Sequence, residues 1–464
     1  MWDHVIKNGT LVTGGGVRKA DICIKDGKIA ALIEPGMPAE AAEVTDASGK
    51  YVFPGFIDPH VHSREGRFGA KHKEDFGYSS RAAACGGYTT IFEMPNCNPA
   101  TWNADEVRTL SGEIETRAHC DFGIWGICLG EINNGLLKEM SDAGVIGFKF
   151  FWGYAIKPEG YQLVYNYDKS MTDLLPPPDT GEVYKIFRAV AETGKVLAIH
   201  AENVDIVKAM TEEAQKRPLR PYEELLESRP VVSELTTIAQ AVLLSDELGT
   251  RLHILHVPSA GSADLIKLAR ERGTDVTCET CPHYLVFTDE DAERIGTKMK
   301  TLPLIRTRED RRVLWERVKD GTIDFIASDH APHTREDKAG SFRTALPGIS
   351  GVETMSAVIL DSVNKGFISL PEAAALLSEN AAKRYGIYPR KGSLEVGTDA
   401  DIAIVDMDAE FVFREENMHN KIHMSPYDGM TFKGRAVKTL LRGKTVSENG
   451  EPVGGPTGRM VRPE

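Results

Sequence analysis

Histidines, carboxylates and an isolated lysine stand at the ends of short apolar runs in this 464-residue chain, in positions where side chains could gather around a cation. His60 and His62 close the run Pro54-Gly55-Phe56-Ile57-Asp58-Pro59-His60-Val61-His62. Strand side chains repeat with period two, so both imidazoles share a face and can grip one ion. Lys149 is isolated in Gly147-Phe148-Lys149-Phe150-Phe151. Further runs end in Ala198-Ile199-His200-Ala201-Glu202-Asn203, in His253-Ile254-Leu255-His256-Val257 and in Ala327-Ser328-Asp329-His330-Ala331-Pro332-His333. Singly, a strand histidine is more often a hydrogen-bonded core residue than a ligand, and a strand lysine usually reaches its amine to water. Jointly, so many polar groups at the same end of apolar strands are costly unless they converge on something charged.

The elements that must carry them can be counted. Eight apolar, β-rich runs cover Val52–His62, Tyr88–Met94, Asp121–Leu129, Ile146–Phe151, Val196–Ala201, Arg251–Val257, Asp275–Glu279 and Asp324–Ser328. Amphipathic stretches at helical period separate them: Ala104–Arg117, Glu182–Thr193, Glu234–Leu248, Ala263–Arg272 and Arg308–Lys319. Near-continuous apolar strands alternating with helices indicate a covered parallel sheet, and eight of them favour a closed (β/α)8 barrel, whose sites lie at the C-terminal ends of the strands. Pro176-Pro177-Pro178 and Arg217–Pro230 read as long loops. Both chain ends differ in character. Short strands at Val5–Lys7, Thr10–Thr13, Asp21–Lys25 and Lys28–Leu32, the last two joined by the hairpin signal Asp26-Gly27, match Ile402–Asp406, Phe411–Phe413 and Val437–Lys444 at the other end. Chain ends often meet at a domain surface, so the expected organisation is a β-sandwich built from 1–52 and 388–464 flanking a barrel over 53–387.

Composition narrows the function. A net charge of −13 with no Lys/Arg cluster disfavours nucleic acid and anionic membranes, and no apolar run approaches membrane-spanning length. The start, Met1-Trp2-Asp3-His4, is unlike a secretory signal, and the seven scattered cysteines do not form a disulfide framework, so a cytoplasmic protein with small-molecule partners is expected. Cys278 and Cys281 form a Cys-x-x-Cys pair without a second pair and read as strand packing.

On these residues, and on the return segment Lys391-Gly392-Ser393-Leu394-Glu395-Val396-Gly397-Thr398-Asp399-Ala400-Asp401, the whole chain resembles the cyclic amidohydrolases, which include dihydroorotases, hydantoinases and allantoinases. The resemblance implies that His60, His62 and Asp329 hold one divalent ion and His200 and His256 a second. Lys149, carboxylated by CO2, would bridge them, which turns a cation unable to bind metal into an anionic oxygen ligand. Imidazole and carboxylate donors suit Zn2+, with Mn2+, Co2+ or Fe2+ as alternatives. Two ions can lower the pKa of a shared water from 15.7 to roughly 7 and polarise an amide carbonyl. Asp329 is implied as the general base that passes a proton to the departing nitrogen, and Tyr154 as a donor to the oxyanion.

The choice of ring is divided. Arg64, Asn96 in Met94-Pro95-Asn96, and His333 resemble the substrate contacts of dihydroorotases, where an arginine fork would pair with a ring carboxylate. Glu65-Gly66-Arg67-Phe68-Gly69, Tyr154 and Ser425-Pro426-Tyr427-Asp428-Gly429 are more similar to hydantoinases and allantoinases. The reading preferred from sequence is hydrolysis of a cyclic amide of the dihydroorotase type, with hydantoinase, dihydropyrimidinase or allantoinase as the alternative and a non-catalytic scaffold as a third reading. A homodimer or homotetramer is the family expectation.

Overall fold

A computed structural model of the chain describes residues 1–164 and 171–464. Its centre is an eight-stranded sheet whose members follow one another in chain order: β1 (Phe56–Val61), β2 (Tyr88–Glu93), β3 (Asp121–Ile127), β4 (Gly147–Phe151), β5 (Val196–His200), β6 (Arg251–Ile254), β7 (Val276–Thr280) and β8 (Phe325–Ile326). Each pairs in parallel with the next. The barrel closes where Val61 bridges His330 and the His62 amide donates to the His330 carbonyl at 2.7 Å. Helices cover the outside, among them Ala104–Glu115, Thr180–Ala191, Val231–Leu248, Ala260–Glu271 and Arg308–Lys319.

Side-chain parity explains why these strands are apolar throughout. In β5, Leu197 and Ile199 pack outward with the helices, whereas Val196 and Ala198 face the lumen beside Phe92, Trp125 and Phe325. His200 continues the lumen parity of Val196 and Ala198. In β4, Phe148 and Phe150 pack outward, so Lys149 between them is left pointing inward, only 1% exposed. Tyr385 and Ile387 plug the lumen's apolar end.

The flanking unit is built from both chain ends. A four-stranded sheet of residues 2–46 faces a seven-stranded sheet that joins Thr10–Thr13, Gly16–Lys19 and Tyr51–Pro54 to Ile402–Val412, Thr431–Leu441, Lys444–Glu448 and Glu451–Pro452. The larger sheet is buried on both sides: Val52, Ile402 and Ile404 face the small sheet, and Phe53, Ala403 and Val405 face the barrel's helical layer.

Three local expectations are corrected. The run read as one strand over Val52–His62 is two, with Tyr51–Pro54 in the flanking sheet and β1 in the barrel. The pivot is Gly55, where a Cβ would collide with the Thr89 side chain. Pro221–Ser228 is a helix inside the stretch read as loop, and Arg442-Gly443, read as strand, is a turn with φ of 47° and 73°. Among the described residues, no helix is long and apolar enough to cross a membrane.

A buried ion cluster ties the two units together. Lys391 Nζ lies 2.5 Å from Asp121 at the start of β3, 3.0 Å from Asp399 and 2.7 Å from Asp401 in the return segment. These three aspartates approach one another closely enough to suggest a cation site, and the lysine ammonium is that cation.

Candidate metal centre

All six residues assigned as metal ligands from sequence surround one cavity of about 60 Å³ at the C-terminal end of the barrel, together with Arg64 and Tyr154. His60 is held within β1, Lys149 within β4 and His200 at the end of β5, while His256 and Asp329 lie just past β6 and β8 in left-handed backbone, at φ of 38° and 45°. Such φ values are uncommon outside glycine and cost energy that the surroundings must supply.

His60 Nδ1 donates to Glu279 Oε1 at 2.5 Å, and His62 Nδ1 donates to Asn96 Oδ1 at 2.7 Å. Both Nε2 atoms are therefore left with a lone pair. They face each other at 3.3 Å, and Asp329 Oδ1 sits 3.2 Å from the first and 3.4 Å from the second. Burial lowers the pKa of His60 to about 3 and of His62 to about 4, so neither ring supplies a proton to this contact at neutral pH. Burial pushes the Asp329 carboxyl up, but His60, His62 and His256 outweigh it and hold the group below the usual carboxylate range. Three electron-pair donors thus converge with nothing positive between them, an arrangement that fits a divalent cation.

The second pair has the same character. His200 Nε2 donates to Glu202 Oε2 at 2.9 Å, which leaves its Nδ1 lone pair toward His256 Nε2 at 3.1 Å. Burial brings the pKa of Lys149 down to about 7. Its amine makes no ion pair among the described residues and lies 4.7 Å from the Phe151 ring centroid. A large fraction is therefore uncharged near neutrality, the form that adds CO2. The Tyr154 hydroxyl is 3.3 Å from His200 Nε2, at the cavity wall.

The substrate contacts expected from sequence divide. Arg64 lines the metal cavity, but the side-on edge of its guanidinium is engaged, with Nε donating to the Pro332 carbonyl at 3.3 Å and Nη2 to His333 Nε2 at 3.1 Å. Asn96 and His333 border an adjoining 230 Å³ cavity together with Arg64. A larger cavity of 450 Å³ opens on the Tyr154 and His200 side. Glu279, Glu202 and the Asn96 amide oxygen, which fix the tautomers of three histidines, received no such role from the sequence. Two signals were available: Glu279 is a buried carboxylate within a strand, and Glu202 stands two residues after His200, on the same side at strand period.

Lone pairs converging on a carboxylate at the C-terminal rim of a parallel barrel define a class, the barrel hydrolases that work through bound metal. The family model described as Amidohydrolase family matches residues 51–446, and the chain belongs to that family, as a cyclic amidohydrolase. It is 41% identical to an allantoinase of Rubrobacter xylanophilus, over 100% of this chain and 98% of that protein. An L-hydantoinase of Paenarthrobacter aurescens is 37% identical over 97% of this chain and 96% of its own length. The solved L-hydantoinase (dihydropyrimidinase) from Arthrobacter aurescens superposes with a TM-score of 0.92 at 35% identity, covering 100% of both chains. The chain is an enzyme that hydrolyses cyclic amides. These relatives correct the substrate preference drawn from sequence, because they support the hydantoin and allantoin readings better than the dihydroorotase one.

Proposed function

We propose that the protein opens a five-membered cyclic ureide, hydantoin or its ureido derivative allantoin, with two divalent ions, zinc being the first candidate for this donor set. The observation that carries the reading is the meeting of His60 Nε2, His62 Nε2 and Asp329 Oδ1 within 3.4 Å, all as electron-pair donors. In this reading they would hold one ion, and His200 and His256 would hold the other. The uncharged Lys149 amine, on adding CO2 and losing a proton, would supply anionic carbamate oxygens to the same site. Ions bound there activate water near neutral pH and polarise the amide carbonyl.

The chain's own groups do the rest. Asp329 accepts a proton from the attacking water and returns it to the leaving ring nitrogen. Tyr154, at the cavity wall, donates its hydroxyl proton to the oxygen that gains charge. Arg64, Asn96 and His333 meet the ring substituent. A substrate panel of allantoin, hydantoin, dihydrouracil and dihydroorotate, run on protein of measured metal content, tests the reading, and failure to open any of them refutes it. An acidic ring is the second reading, because Arg64 Nη1 and Asn96 Nδ2 have no hydrogen-bond partner among the described residues. We also propose a homodimer or homotetramer, supported by the helix Val231–Leu248, which exposes Leu243 (69%) and Val232 (47%). The seven buried free thiols fit a reducing cytoplasm.

A further inference from the structure

The two halves of the metal centre are supported differently. His60 and His62 each have a partner on the ring nitrogen that faces away from the cavity, Glu279 and Asn96. His200 has Glu202, whereas His256 Nδ1 is buried without a hydrogen-bond partner among the described residues. The His256 ring, 3.1 Å from His200, is thus held through its backbone: its amide donates to Glu279 Oε1 at 3.4 Å, and the segment after it is anchored from a second side.

That second anchor is a continuous polar chain from His200 to the Ser259 side chain, three residues after His256. Glu202 Oε2, which accepts from His200, also accepts from Arg229 Nη1 at 2.8 Å. The Arg229 carbonyl accepts from Arg306 Nη1 at 2.6 Å, and Arg306 Nη2 pairs with Glu234 Oε1 at 2.5 Å. Glu234 Oε2 accepts from the hydroxyls of Ser259 at 2.9 Å and Ser262 at 2.8 Å. Ser259 caps the helix Ala260–Glu271 and stands three residues after His256. Glu202, Glu234, Arg306, Ser259 and Ser262 are all buried. A core wedge of apolar side chains would fill this space at lower desolvation cost, so an ionic chain running from one ligand's loop to the other's has a geometric use.

We infer that Glu202, Arg229, Arg306 and Glu234 form a positioning network that fixes His200 against His256 and so determines retention of the second ion, with Arg306 and Glu234 acting without touching the site. Glu202 and Arg229 orient His200 directly; Arg306 and Glu234 hold Arg229 and the segment that follows His256. This rests on the two-ion reading above.

The test compares wild type, Arg229→Met, Arg229→Lys, Glu234→Gln and Lys391→Met, purified without chelator, by elemental analysis and thermal melting. Lys391→Met breaks an equally buried ionic cluster that has no link to the metal centre, and so reports what mere destabilisation does. We expect Arg229→Met and Glu234→Gln to fall from about two ions per chain to about one, with second-ion affinity weakened about 10- to 100-fold, the range for residues that orient metal ligands. Arg229→Lys should recover part of the loss, and Lys391→Met should lower the melting temperature at unchanged metal content. Glu234→Gln keeps the side-chain shape and serves if Arg229→Met does not fold. Full metal content in the folded network variants, with only a lowered melting temperature, overturns the inference while leaving the two-ion reading intact. A wild type holding one ion or none overturns the two-ion reading and this inference with it.

Discussion

Replacing Lys391 with methionine isolates the interaction that joins the barrel to its flanking sheets. The lysine side chain is 2% exposed, and its ammonium lies within 3.0 Å of Asp121, Asp399 and Asp401. Burial pulls its pKa down, but the three carboxylates outweigh this and hold it above the ordinary lysine value. A raised pKa means that the stabilisation is fully present below the unfolded value, so it acts in full at pH 7 and is lost only in strong alkali. Methionine keeps the packing of the stem and removes the charge. Breaking a buried ion pair costs about 3–5 kcal/mol. The lower end applies here because Arg442 also pairs with Asp121, and Lys28 reaches Asp399 at 2.7 Å. We expect a loss of about 3 kcal/mol, read as the shift in guanidinium midpoint multiplied by the slope, with tryptophan fluorescence as probe. Asp401→Asn added to Lys391→Met should cost less than the two single losses combined, since the partners share one interaction. A single-variant loss under about 1 kcal/mol, or strict additivity, would refute the assignment.

Lys149→Ala should lose activity and fall from about two ions per chain to one or fewer by elemental analysis, with partial recovery in short carboxylic acids. Because burial lowers the Lys149 pKa to about 7, the uncharged amine drops about fivefold between pH 7 and pH 6, so metal-free protein should reload with CO2 and zinc correspondingly more slowly at the lower pH. Asn96→Leu should weaken metal binding about 10- to 100-fold by releasing the His62 ring, seen in a chelator titration. His60 and His62 have folded values below their unfolded ones, so they disfavour folding of the metal-free protein as pH falls from about 6.5 toward 4, and its melting temperature should decline across that window. Arg64→Lys should lower kcat/KM on the order of 10²-fold for an acidic ring and far less for hydantoin at unchanged metal content; equal losses on both would assign Arg64 to tethering the 330–334 loop.

The barrel was legible because its strands are apolar on both faces and separated by helical periods, and the gathering of six polar residues at its rim because each breaks an apolar run at the same end. Parity alone directs Lys149 and His200 inward. The boundary at Gly55 was not legible, since Val52–His62 is continuously apolar for two different reasons, sheet-to-sheet packing and barrel packing. The helix Pro221–Ser228 carried a usable signal, proline at its first position and Glu223 two residues later, which a loop reading passed over. Strand β8 is short because the Ser328 amide and hydroxyl bond the Asp58 carboxylate, at 3.1 and 2.5 Å, in place of a neighbouring strand. The partner of His200, Glu202, stands two residues away at strand period and was open to a local reading, whereas those of His60 and His62 were not. Glu279 is 219 residues from His60, and no local pattern in one sequence records a contact at that distance.

The most direct test follows ring opening of hydantoin and allantoin with a single preparation before chelation, after chelation, and after zinc is returned. We expect about two ions per chain at the start, loss of ring opening as they are removed, and its return with zinc. Undiminished ring opening by protein shown to be metal-free would contradict the assignment of His60, His62, Lys149, His200, His256 and Asp329 as a catalytic metal centre.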